Sequence, residues 1–412
     1  MQYAFIFGKT PYLSLAEVIH VFRQDDQNID YFSREFGILN FSKELKEIEK
    51  IQNKLGGTIK ITQILSSISW QKNFTNSEKK SLLKSLMEIC KKQDQHKSKF
   101  KFGINVYNYQ KSAKQFLKEI LIDFKHDLKK ADITSRFINK DFQNISSAAA
   151  LNENLLEQGL ELNILFTSEK IYISQTISIQ NINEYSKRDY EKPEKDALSG
   201  MLPPKLAQIM INLKSPEINT IFDPFCGSGT LLLEALLSDN NVIGSDISEK
   251  AVSDSIQNIE WLKNNYQINS KFKTSIFPLD ALQMTLEHLP KTNFSIITEP
   301  YLGPALKKEP NEKEIKEIQN NIKNLIFDFF RNLSPILEKN TEIIIIFPYI
   351  RTKKKKYFLQ IEKEVTKLEY EIIPLIKEET QKKLHLKINF PSLCYEREDQ
   401  LIGREIWKFI KI

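Results

Sequence analysis

At 412 residues the chain is long enough for two or three domains, and a composition 41% hydrophobic and 27% charged excludes a disordered chain. No apolar run reaches the ~20 residues of a membrane-spanning helix; the longest candidate, 343–350, is interrupted by Pro348. The net charge of +6 is uneven, with 13 Lys/Arg against 5 Asp/Glu between Lys91 and Lys140, a local excess that suits a phosphate-rich partner as well as a solvated helix face.

The start, MQYAFIFGKTPYLSL, lacks the basic opening and cleavage site of a secretory signal, so the expected compartment is the cytoplasm. Cys90, Cys226 and Cys394 are too few and too scattered for a disulfide framework or a zinc site, and no metal is expected.

In chain order, Gln2 to Phe7 reads as a strand, Ser14 to Arg23 as a helix, and Tyr31 to Asn40 as mixed strand and loop. Gly56-Gly57 makes a turn into a strand over Thr58 to Ile64. Ser77 is placed to cap a helix running to Lys92, with Leu82, Leu83, Leu86 and Ile89 on one face. Phe100 to Tyr107 reads as an alternating strand, and Lys111 to Lys130 as a basic amphipathic helix with Phe116, Ile120, Leu121 and Phe124 inward. Glu161 to Thr167 and Lys170 to Ile177 form a two-strand unit. Residues 181–197, polar and carrying a proline, read as a linker. Leu198 to Leu213 opens the next half with a helix that begins at Pro203-Pro204. That helix start is either plainly capped or a place where free N–H groups meet a ligand carboxylate.

Ile221 to Leu237, IFDPFCGSGTLLLEALL, is the centre of the second half: a buried strand, a Gly227/Gly229 turn and the opening of a helix. No Gly-Lys-Ser/Thr follows, which argues against a phosphate-clamping NTPase loop, and Leu232 stands where a dinucleotide fingerprint wants a third small residue. Asp223, just before the turn, suits a ligand with an ammonium group and no pyrophosphate, and S-adenosylmethionine is such a ligand. Asn241 to Asp246 is a second strand ending in an acid about 20 residues past the glycines, where a ribose acceptor belongs. Thr274 to Leu279 is a third, with Asp280 at its end as a candidate acceptor for an adenine amine. Asn293 to Thr298 is a fourth, running into Glu299-Pro300-Tyr301. One acid at a strand end is more often a helix cap than a ligand; several in order at these spacings point to a methyltransferase. Pro204, Asp223, Phe225, Gly227, Gly229, Asp246, Ile247, Asp280 and Ala281 are the cofactor-binding candidates. Glu314 to Leu333 is a helix, Glu342 to Phe347 a fifth strand, RTKKKK at 351–356 a second basic cluster, and Leu384 to Phe390 with Arg404 to Ile410 a closing hairpin.

With these residues the chain resembles the THUMP-domain tRNA guanosine-N2 methyltransferases, which in archaea and eukaryotes modify the guanosine at tRNA position 10. The likeness is carried by FIFGKTPYLSLAEV from Phe5, LGGTIKI at 55–61, LPPKLAQIMINL from Leu202, DPFCGSGTLLLEA from Asp223 and YEREDQLIGREIW from Tyr395. The resemblance implies an α/β chain: a ferredoxin-like unit (1–56), a THUMP RNA-binding domain (57–180), and a Rossmann-like class I methyltransferase domain (198–412). It implies tRNA as partner, S-adenosyl-L-methionine as cofactor, no membrane, and leaves room for a small activator protein. Its catalytic turn reads Asp/Asn-Pro-Pro-Tyr; here it is Thr298-Glu299-Pro300-Tyr301, and these four are the catalytic candidates. Tyr301 is expected to stack the extruded base and the Thr298 carbonyl to accept from its amine. Glu299 either joins Thr298 as an acceptor or binds a basic residue elsewhere. The rival expectations are an amino-methyltransferase of DNA or ribosomal RNA and a catalytically inactive RNA-binding homologue.

Overall fold

The structure, a computed structural model, describes residues 1–22, 29–71, 73–92, 100–195, 201–388 and 390–412. Arg23, part of the basic excess (Lys97, Lys99) and the segment start at Leu198 lie outside the described residues.

One unit comprises 1–11, 24–53 and 58–182. Its strands are β1 (Gln2–Phe7), β2 (Ile29–Phe32), β3 (Phe36–Asn40), β4 (Thr58–Ser69), β5 (Phe100–Tyr107), β6 (Ser135–Phe137), β7 (Gly159–Phe166) and β8 (Lys170–Ile179). They make one sheet in the order β2-β3-β1-β4-β8-β7-β5-β6, so residues 2–69 and 100–179 share a single continuous ladder. β5, expected to alternate, is buried at seven of its eight positions because both faces are covered. Phe116, Ile120, Leu121 and Phe124 of the helix Ala113–Lys130 cluster with Phe102 and Ile104, while the Asn139 side chain accepts from Ile104 N at 3.0 Å and Ile145 N donates to Asn105 Oδ1 at 2.7 Å. Inside the ladder Lys60 Nζ pairs with Glu161 and donates to the Ile145 carbonyl at 2.9 Å, which satisfies most of a charge that could not be buried alone. The helix expected to start on Ser77 spans Asn76–Lys92; Thr75 sits ahead of it, its hydroxyl oxygen accepting from Ser77 N at 3.2 Å.

The second unit comprises 12–23, 54–57 and 183–412. Its strands are β9 (Thr220–Asp223), β10 (Asn241–Asp246), β11 (Thr274–Pro278), β12 (Ser295–Thr298), β13 (Glu342–Arg351), β14 (Lys356–Tyr357), β15 (Tyr370–Ile372), β16 (Leu393–Tyr395) and β17 (Ile402–Lys411). The main sheet runs β11-β10-β9-β12-β13-β17-β15: the first five strands are parallel, β17 is antiparallel to β13, and β15 is antiparallel to β17. β13 reads as a nearly continuous apolar run because helices cover the sheet, and β17 is almost as fully buried although it carries Arg404, Glu405, Lys408 and Lys411. The helices used below are α1 (Pro11–Phe22), α2 (Ile182–Tyr190), α3 (Pro204–Asn212), α4 (Thr230–Leu237), α5 (Glu249–Asn265) and α6 (Glu312–Leu333). Asn311 starts α6 with a capping box to Glu314.

Two expectations are corrected here. The stretch 181–197 is not simply a linker: α2 fills most of it, and Arg188 forms a buried ion pair with Glu234 of α4, Nε to Oε1 2.6 Å. Its polar residues carry tertiary contacts that a local pattern does not reveal. The closing hairpin is misplaced as well. Leu384–Phe390 forms no strand among the described residues, and β17 pairs instead with β13 and the short β16.

Within the second unit α1 is joined to 54–57 and α3 through Glu17. This fully buried carboxylate accepts from Gly56 N and Gly57 N, both 2.8 Å, and from Asn212 Nδ2 at 2.8 Å. A Cβ at Gly56 would sit 2.3 Å from the Lys205 carbonyl and one at Gly57 2.5 Å from Ser14 Oγ, so both glycines allow close approach. Three separate sequence motifs, around Glu17, Gly56 and Asn212, thereby meet in one buried junction.

Candidate active site

Parallel strands open their ligand-binding crevice at the carboxyl edge, where the strand order reverses; here that is between β9 and β12. A cavity of about 430 Å³ lies at this edge. It is lined from β9 and its turn (Asp223 to Ser228), from the ends of β10 (Asp246 to Ser248) and β11 (Asp280, Ala281), and from the turn after β12 (Glu299 to Leu302).

The turn after β9 is shaped by its glycines. Gly227 and Gly229 have φ of 51° and 82°. A Cβ at Gly229 would lie 2.7 Å from Ser255 Oγ of α5, while one at Gly227 would meet nothing within 4 Å. The first glycine, which lines the cavity, thus has open space where a Cβ would be, and the second lets α4 and α5 close up. The third small residue missing at Leu232 is supplied from the next strand: a Cβ on Gly244 of β10 would lie 2.5 Å from Leu232 Cδ1. Helix and sheet still pack closely, with the glycine on the sheet.

Asp223 is buried, and its Oδ1 accepts from Thr298 Oγ1 at 2.6 Å and from Phe225 N at 3.2 Å. Its other oxygen accepts from no described residue. Burial pushes the carboxyl up to about 7, with the two donors opposing. Asp246 accepts from Gly227 N through Oδ2 and from Ser248 N through Oδ1, both at 3.0 Å, which pins the turn after β9 to the end of β10. Asp280 Oδ1 accepts from Leu282 N at 2.9 Å and caps the short helical turn that follows. The last two acids therefore do act as caps, yet each lines the cavity and each carboxylate oxygen retains a second lone pair.

Of the cofactor candidates, Asp223, Phe225, Gly227, Asp246, Ile247, Asp280 and Ala281 line the cavity. Gly229 does not; it shapes the α4 start. Nor does Pro204, which is buried at the first turn of α3, although Met201 and Leu202 just before it do. Of the catalytic candidates, Glu299, Pro300 and Tyr301 line the cavity, and Tyr301 is 54% exposed. Thr298 is buried, with its hydroxyl turned to Asp223. Of the two placements open to Glu299, the structure shows the second: Arg404 of β17 holds it bidentately, Nε to Oε1 2.6 Å and Nη2 to Oε2 3.3 Å. Burial raises this carboxyl while the guanidinium opposes. Arg404, Arg188, Ser255 and Asn258, whose amide donates to the Ser228 carbonyl at 2.8 Å, support the site from distant positions and carry no local sequence signal. The Cys226 thiol is raised by burial and offers no nucleophile.

A family model described as DNA methylase matches residues 14–257, more than half of the chain, and one described as the RMKL-like methyltransferase domain matches 193–347. The chain belongs to the DNA methylase family, within the S-adenosylmethionine-dependent methyltransferases. Among curated relatives, the tRNA (guanine(10)-N2)-dimethyltransferase of Methanocaldococcus jannaschii is 30% identical over 168 residues, 38% of this chain and 45% of that protein. The enzyme of the same name from Methanothermobacter thermautotrophicus is 40% identical over 120 residues, 29% of this chain and 33% of that protein. The matched stretches span less than half the length of these relatives. Among solved structures, TrmN from Thermus thermophilus superposes with a TM-score of 0.55 at 11% identity, covering 100% of this chain and 99% of that one, a likeness of fold.

The residues present fit S-adenosylmethionine. Gly227 lines the cavity with open space where a Cβ would be, Asp223 offers an uncommitted buried oxygen for an ammonium, and Asp246 and Asp280 offer acceptors for hydroxyl and amine donors.

Proposed function

We propose that this protein transfers a methyl group from S-adenosylmethionine to the exocyclic N2 amine of a guanine in tRNA. The observation that carries the reading is that the Glu299–Tyr301 turn and the three acid-bearing strand ends wall one cavity, with Tyr301 exposed at it. The names of the relatives support tRNA guanine as the target.

When bound, the cofactor supplies an electrophilic methyl on a sulfonium. The chain's own residues do the rest. Asp223 holds the cofactor's ammonium through its free oxygen, Asp246 accepts from the ribose and Asp280 from the adenine amine. Tyr301 presents a flat face on which an extruded base stacks. A backbone carbonyl of the cavity-lining Glu299–Tyr301 turn accepts from the target amine, since Thr298 is buried and its side chain is occupied by Asp223. Glu299, locked by Arg404, holds the turn in place and leaves the amine to the backbone. An exocyclic amine is a weak nucleophile, so orientation of its lone pair toward the methyl is the main contribution required.

We further propose that residues 57–180 are a THUMP RNA-binding domain preceded by a ferredoxin-like unit at 1–56, and that the protein meets its tRNA in the cytoplasm. Support comes from the helix Ala113–Lys130, which exposes Lys114, Lys118, Lys125, Lys129 and Lys130. No helix among the described residues is long and apolar enough to cross a membrane.

A second reading, an amino-methyltransferase of DNA, is favoured by the description of the matching family. One experiment separates the two. The purified protein is incubated with isotopically labelled cofactor and either total tRNA or duplex DNA, and the nucleosides are resolved by mass spectrometry. Labelled N2-methylguanosine in the tRNA arm is expected. Label in methyladenine or methylcytosine of the DNA arm alone would replace the tRNA reading with the second one.

A further inference from the structure

Lys192 is 1% exposed, yet no described carboxylate forms an ion pair with its ammonium. Its one hydrogen bond to a described residue is from Nζ to Thr230 Oγ1, at 2.7 Å. Glu234, the nearest buried acid on α4, is committed to Arg188. Asp189 and Glu234 act on Lys192 only through space, and burial pulls the ammonium down to about 8. A buried charge without a counter-ion is costly unless something else neutralises it.

Thr230 connects this charge to the cavity. It is the first residue of α4 and lines the cavity wall. Its oxygen accepts from Lys192, and its own O–H donates to no described residue although the side chain is nearly buried. The first turn of α4 adds backbone N–H groups that have no partner within the helix. An ammonium behind, a hydroxyl proton in front and a helix start beside it together form a receptor for an anion. The ligand group with that charge is the methionine carboxylate of the cofactor. The other expected place for it, the start of α3, is less suited, because Pro204 does not reach the cavity.

We propose that Lys192 is the counter-charge for the cofactor carboxylate, acting through the Thr230 hydroxyl at the start of α4. This inference rests on the cofactor reading given above and assigns the carboxylate to one pair of residues. Lys192 is a positioning residue: it neutralises the carboxylate and fixes the direction of the Thr230 proton, and it does not meet the reacting atoms.

The test compares two ligands that differ only in that group. S-adenosylhomocysteine carries the carboxylate; S-adenosyl-3-thiopropylamine is the same molecule without it. Binding of both is measured by calorimetry to the full-length protein and to its Lys192→Met and Thr230→Val variants. In the wild type S-adenosylhomocysteine is expected to bind at least about tenfold more tightly than the amine. In Lys192→Met that preference should shrink at least about tenfold, with the affinity for the amine kept, and Thr230→Val should shrink it in the same direction. Lys192→Arg should recover part of it. An unchanged preference in both variants, or equal losses for the two ligands, would overturn the assignment and leave Lys192 a packing residue. Should Lys192→Met fail to fold, Thr230→Val decides alone by the same ratio. If the wild type binds neither ligand, it is the cofactor reading that fails.

Discussion

Two buried carboxylates, Glu17 and Asp223, show how one physical state serves two ends. Each is removed from water and each is pushed up to about 7 by burial. They differ in how their oxygens are used. Glu17 accepts from two glycine N–H groups and an asparagine amide through both its oxygens, so it joins three parts of the chain. Asp223 takes both donors on Oδ1, leaves the other oxygen uncommitted among the described residues, and lines the cavity. A fully satisfied buried acid is architecture; a half-satisfied one at a cavity is a candidate binding group.

The largest expected effect comes from breaking the satisfied member. Glu17→Ala strands three buried donors and should cost on the order of 3 kcal/mol of stability, measured by urea denaturation. A loss below about 1 kcal/mol would show that the junction is not what holds α1. The opposite arrangement holds at the turn after β12, where Tyr301→Ala removes an exposed side chain. It should lower methyl transfer to tRNA by at least about tenfold while leaving stability and cofactor affinity within about twofold. Unaltered turnover at saturating tRNA and cofactor would remove Tyr301 from the site.

Asp246→Ala tests a mixed case, since this acid both pins Gly227 and faces the cavity. We expect S-adenosylhomocysteine to bind about tenfold more weakly, read by calorimetry, with the protein still folded. Equal binding would mean that Asp246 serves the turn only.

The smallest effect, and the sharpest comparison, is in pH. A carboxyl raised from 4.5 or 3.8 to about 7 takes up its proton on folding. Its contribution to stability is therefore full below the unfolded value and is lost as pH rises through about 7. Both acids should make the protein less stable at pH 8 than at pH 5.5, and Glu17→Gln and Asp223→Asn should each flatten that slope. Saturating S-adenosylhomocysteine, whose ammonium favours ionised Asp223, should flatten the Asp223 part and leave the Glu17 part. If the ligand left the wild-type slope unchanged, the ammonium would not sit on Asp223.

Much of the cavity wall was legible in the sequence because its determinants are local. A strand followed by Gly227-Ser228-Gly229, and acids at the ends of the next strands, are set by period, turn chemistry and spacing. Chain order then puts those ends on one edge, since parallel strands joined by helices all point the same way. The strand-like runs of β9, β10 and β12 follow from the same local rules.

Tertiary structure decided everything that depends on long separations in the chain. Glu299 is paired 105 positions away with Arg404, and Glu17 meets Asn212 195 positions away. The polar stretch 181–197 reads locally as a linker because nothing near it shows that Arg188 will find Glu234 or that Lys192 will find Thr230. Leu232 reads as a departure from a small-residue rule until the sheet places Gly244 opposite it. Local sequence fixes which residues can bend, cap or alternate. Which buried charge meets a partner, and which is left to face a ligand, is set only when distant segments are packed and desolvated together.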